Sequence, residues 1–172
     1  MKRIALPLGA VLALLLSAGT AAAAGGPAVV ETVELTFAPL KSETCPNLPD
    51  GTSITWSGTG TSITRVRTDG SGVTTVANTT EAHGFASDQD GNTYAFNYSN
   101  TFRVSNSTDD PGLFTGMMTD SFALAGNGPA KLSNGFVAAI TTDLDAFFAF
   151  DPLHSRGDPI DFEAGTAMCD PL

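Results

Sequence analysis

Basic side chains are scarce in this chain. Eight Lys and Arg stand against eighteen Asp and Glu in 172 residues, a formal net charge of −10. Two of the eight, Lys2 and Arg3, sit at the extreme N-terminus. Without them six basic residues face the same eighteen acids, a net charge of −12. Such a surface repels nucleic acid and anionic membranes, and so few cations cannot line a phosphate-tracking groove. Cysteine is rarer still. Cys45 and Cys169 are the only two, with two histidines and one tryptophan beside them. Two distant cysteines and two histidines lack metal-ligand spacing. No metal site or cofactor is expected. No glycine-rich phosphate loop with its lysine occurs, and no glycine-flanked nucleophile serine.

What is present first is a leader. "MKR", then "IALPLGAVLALLLSAG", then "TAAAAGG" give the basic, apolar and small-residue parts of a secretory signal peptide. Residues 1–24 are read as that leader and 25–172 as one domain, secreted and with no membrane insertion after cleavage. In an oxidising compartment Cys45 and Cys169 are expected to form a disulfide. A loop of that length would stabilise by about 4–5 kcal/mol.

The rest of the chain alternates polar and apolar residues and breaks at Gly, Asn and Asp. That is strand and turn chemistry. The clearest case is "NTYAFNYSNTFRVS", where Tyr94, Phe96, Tyr98, Phe102 and Val104 share one parity and only Asn100 interrupts the face. Eight or nine strands are predicted, joined by short turns in a meander. Their length and interior glycines predict a single antiparallel β-barrel, with a β-sandwich as the alternative. "AFFAF" is read as a short strand, and residues 151–172 as an ordered coil with at most a short strand at "IDF", tied down by Cys169.

The candidate sites follow from this pattern. Glu81 and His83 lie two residues apart on a strand, so they share a face and form a candidate acid–base pair. In the tail, Asp158 is placed to orient His154, while Arg156 is placed to hold a carboxylate. Arg156-Gly157-Asp158 spells an adhesion tripeptide. The Asp-Pro steps around it explain these residues as turn and strap chemistry instead. Asp88, Asp90 and Asn92 mimic the start of a calcium loop. Counting from Asp88, Thr93 stands where glycine belongs and Ser99 where glutamate belongs, so a hairpin turn is the better reading. Trp56, Tyr94, Tyr98 and Arg156 are the candidate ligand-binding residues, in a barrel whose interior either holds one small apolar ligand or is filled by its Phe side chains.

The stretches "GNTYAFNYSNTFRVS", "GMMTDSFALAGNG", "LSNGFVAAI" and "HSRGDPIDFEAGTAMCDPL" resemble small secreted actinobacterial proteins of unassigned function. The resemblance covers most of residues 90–172 and brings no catalytic residues. "DGNTYAF" and the F-x-G signals resemble, at the level of fold, barrels of the allene oxide cyclase and dirigent type. The expectation is a secreted, acidic β-barrel protein that binds a small ligand or an extracellular partner. The alternatives are an enzyme, an isomerase, cyclase or hydrolase using His83 or His154 at the barrel mouth, and a structural envelope protein. Oligomeric state is left open.

Overall fold

A computed structural model of the chain describes residues 28–36, 39–43, 45, 47–144 and 148–156. The expected leader, Asp158 and Cys169 lie outside them. Eight strands follow one another: β1 (Val29–Thr36), β2 (Leu40–Lys41), β3 (Ser53–Thr68), β4 (Thr74–Asp88), β5 (Thr93–Ser105), β6 (Phe114–Gly126), β7 (Leu132–Thr142) and β8 (Phe148–Arg156). All pair antiparallel in the order β1-β3-β4-β5-β6-β7-β8, with β2 on β3.

The turns explain the register. Asp69 Oδ1 accepts from the Ser71 and Val73 amides at 2.9 and 3.0 Å, and Gly72 takes φ +89°. Asp88 Oδ1 accepts from the Asp90 and Asn92 amides at 3.0 and 2.9 Å, with Gly91 at φ +82°. An Asp side chain that satisfies the turn amides, followed by a residue free to adopt positive φ, closes each hairpin.

Even-numbered side chains of β3 to β7 point inward and are largely buried. They form two apolar clusters. In the first, Trp56 packs edge-on against Phe96 and Phe122, with centroids 5.1 and 5.6 Å apart, while Leu40, Cys45 and Leu48 cover it. The second centres on Val104, Met118, Phe136 and Ile140. Each such aromatic or aliphatic side chain stabilises by about 1.5–3 kcal/mol on burial. A flat single sheet cannot bury its own inner face, so the long strands must curl. Gly58 and Gly84 face each other across β3 and β4, and a Cβ on Gly58 would stand 2.9 Å from the Gly84 Cα. Only glycine permits that approach.

The sheet curls but does not close, which corrects the barrel expectation. No ladder joins β1 to β8. Interior glycines report tight coiling; they say nothing about whether the two ends meet. The edges are also poor partners for each other. β8 carries Pro152, which has no amide to donate, next to Asp151, and its register against β7 shifts between Val137 and Ala138. β1 carries Glu31 and Glu34. Proline, bulges and like charge are common guards of a free edge. The open sheet lies on the sandwich side of the two alternatives. With closure go the enclosed interior and the barrel mouth on which the ligand and enzyme readings rested.

β3 runs unbroken for 16 residues across the Gly58 and Gly60 positions. One smaller correction concerns β8, which continues through "DPLHSR" to Arg156, where coil was expected. Cys45 is completely buried and is not free, and Cys169, the partner expected for it, lies outside the described residues.

Candidate functional site

On the outward face of the sheet, a depression of about 460 Å³ spans β4 to β7. Its walls are two outward rows set by the register: Glu81, Ser99 and Ser121 in one, His83, Asn97, Ala123 and Ser133 in the other. The inward row Ala82, Tyr98, Phe122 and Asn134 runs between them and presents its backbone to this face. The hollow exists because Ser and Ala on β6 and β7 are short, while Glu81, His83 and Asn97 on β4 and β5 stand taller.

Glu81 and His83 therefore share a face, as their spacing predicts, and both are exposed. They do not bond to each other. His83 Nε2 lies 3.5 Å from Thr59 Oγ1 on β3. One outward step along β4, Phe85 is 77 % exposed, flanked by Ser57 on β3 and Ala95 on β5. The depression thus offers hydroxyls, an amide, an imidazole and one carboxylate, with an apolar ring at its rim. It contains no Lys or Arg.

The inward face holds a second polar arrangement that the sequence reading missed. Ser62, Thr80, Asn100 and Asp120 stand directly opposite one another on β3, β4, β5 and β6. They form a polar row between the two apolar clusters. On the β3–β4 side, Asn78 Nδ2 donates to Ser62 and Thr64 at 2.8 and 2.9 Å, and Thr80 donates to Asn78 Oδ1 at 3.0 Å. On the β5–β6 side, Tyr98 Oη and Asn100 Nδ2 donate to Asp120 Oδ2 at 2.7 and 2.8 Å. Burial lifts the Asp120 carboxyl above the ordinary carboxylate range, and these two donors pull it back only in part. Burial and the adjacent carboxylate hold the Tyr98 phenol well above its usual value. Asn134 projects from β7 beside this group, and its buried Nδ2 has no hydrogen-bond partner. The signal was available: Asn100 and Asn134 both break apolar faces, and Asp120 shares parity with Met118 and Phe122.

The other candidates fall in separate places. Tyr98 serves the inward row. Trp56 is core. Tyr94 is buried and donates to Asp88 Oδ2 at 2.7 Å. Asp88 Oδ2 also accepts from the Asn92 side chain at 2.8 Å. The Asn92 amide, ahead of Tyr94, holds the Asp88 carboxyl below the usual range. Asp88 and Asn92 are thus spent on the hairpin, while Asp90 is exposed. Among the described residues no cluster of three His, Cys, Asp or Glu side chains has metal-binding geometry. His154 is exposed on β8 opposite Val137, four strands from His83, so the two histidines do not converge. Arg156 ends β8 opposite Gly135. No helix among the described residues is long and apolar enough to cross a membrane. No family model, curated protein or solved structure matches the chain.

Proposed function

We propose that this chain is a non-catalytic binding protein that takes a polyhydroxylated chain, an oligosaccharide, on the outward face of its sheet. The observation that carries the reading is the lining of the 460 Å³ depression. Ser99, Ser121, Ser133, Asn97, His83 and Glu81 set donors and acceptors around a shallow hollow, which suits a ligand that is itself a run of hydroxyls. The exposed Phe85 ring at the rim offers an apolar face for the C–H side of a sugar. A small apolar ligand has less to recommend it, because Trp56, Phe96 and Phe122 fill the inward space and the hollow is polar. Glycoside hydrolysis generally uses two carboxyl groups flanking the bond. Glu81 alone lines this depression, which favours binding over cleavage. The leader read in residues 1–24 supports an extracellular setting, where such chains are accessible.

The test is calorimetric titration of the 25–172 protein against a panel of oligosaccharides. Binding is expected, and Ser121→Trp, which fills the hollow from an exposed position, is expected to weaken it at least tenfold without changing the melting temperature. Phe85→Ala should weaken it several-fold. Absence of binding at millimolar concentration, or full binding by Ser121→Trp, refutes the reading.

A further inference from the structure

The outward face is unevenly charged. Six basic residues follow the leader, and three of them, Arg65, Arg67 and Arg103, stand exposed at one end of this face. Arg65 and Arg103 lie in the same register row, on β3 and β5, with only Ala77 of β4 between them. Two strand spacings separate them, about 10 Å. Neither makes an ion pair or side-chain hydrogen bond with a described residue. Arg67 shares its field with Asp69 at the neighbouring turn. A chain this acidic, which concentrates half of its remaining positive charge in one exposed row-and-a-half, has built a local exception to its own potential.

This end is continuous with the depression. Thr79, Thr101 and Thr119 form the row between them, across β4, β5 and β6. From Ser99 to Arg103 is four residues along β5, about 13 Å. A ligand running along the strands from the hollow crosses hydroxyls and then meets two guanidinium forks. The planar fork matches a carboxylate in two parallel bonds. We propose that the oligosaccharide is acidic: its uronate carboxylates dock on Arg65 and Arg103 while neutral sugar hydroxyls occupy the depression. This rests on the oligosaccharide reading above. The surrounding negative charge makes long polyanions such as nucleic acid poor competitors, since beyond about 10 Å the protein repels them.

Matched probes test it. Hexamers of galacturonate, mannuronate and guluronate are titrated at 50 mM salt as free acids and as methyl esters, which keep the hydroxyls and lose the charge. At least one acid is expected to bind fivefold or more tightly than its ester, with the gap closing at 500 mM salt. Arg65→Gln and Arg103→Gln should each remove most of that gap and leave ester binding and melting temperature unchanged. If acid and ester bind alike, or the arginine variants weaken both equally, the acidic subsite is wrong and the oligosaccharide reading stands. Binding of sulfated oligomers without uronates overturns the carboxylate assignment. If no oligomer binds in either form, both readings fall.

Discussion

Replacing Tyr98 with Phe removes one hydroxyl and keeps the ring. The phenol donates to Asp120 Oδ2 at 2.7 Å inside the inward row, beside Asn100, the other donor to that oxygen among the described residues. The cost depends on the charge of the acceptor. A hydrogen bond to an ionised group contributes about 1.5–3 kcal/mol, and a neutral one about 0.5–1.5 kcal/mol. Asp120 titrates from a folded value that burial has raised above 3.8. The native state therefore holds its proton more tightly than the unfolded chain does. Stability contributed by protonated Asp120 is fully present below the unfolded value and is lost as pH rises through the folded one. Tyr98→Phe raises that folded value further. The variant should therefore cost about 1.5–3 kcal/mol at pH 8 and about 0.5–1.5 kcal/mol at pH 3.5. Urea unfolding followed by Trp56 fluorescence measures both, since the single tryptophan is buried against two phenylalanines. A cost that is equal at both pH values, or larger in acid, refutes the account of the row.

Two further perturbations test neighbouring claims. Asn134→Leu replaces a buried amide whose Nδ2 has no partner with an apolar side chain of similar size, and should raise the urea midpoint by an amount equivalent to about 1–3 kcal/mol; a lowered midpoint would show that the amide is engaged. Asp88→Asn puts an amide group where Tyr94 and Asn92 donate, and should lower the melting temperature at pH 7. Because the folded Asp88 value is depressed, its stabilisation is present above the unfolded value of 3.8 and is lost as pH falls through the folded one. The gap between variant and wild type should therefore narrow in acid, and a gap that widens there refutes the turn assignment.

Much of the fold was legible because strand parity is a local property. Tyr94, Phe96 and Val104 could be placed on one face from spacing alone, and Asp90-Gly91 marked its hairpin. Whether Gly58 and Gly60 lie inside a strand or break it was not legible, because glycine in a strand and glycine in a turn look alike until the partner backbone is seen. Closure was not legible either. It is a relation between the first strand and the last, and no residue in β5 or β6 carries information about it. The site was half legible. Glu81 and His83 were placed correctly on one face, yet Ser99, Ser121 and Ser133 are unremarkable in sequence and become a lining only when four strands set them side by side. Arg65 and Arg103 likewise meet only through the register of β3, β4 and β5.

The inward polar row does something the apolar pattern cannot. Slipping β6 against β5 by one residue would turn its buried face to water, so the hydrophobic alternation forbids it. A slip of two residues keeps every parity, and it would set Leu124 opposite Tyr98 or Phe122 opposite Phe96, both aromatic neighbours. It would, however, move Asp120 from opposite Asn100 to opposite Tyr98 or Phe102. The two bonds to Asp120 Oδ2 would have to be remade or lost, at about 1.5–3 kcal/mol each. The outward rows depend on that same register. Ser121 meets Ser99, and Ala123 meets Asn97, only when Asp120 meets Asn100. The buried carboxylate, which desolvation makes unfavourable on its own, thus fixes the alignment that assembles the depression on the opposite side of the sheet.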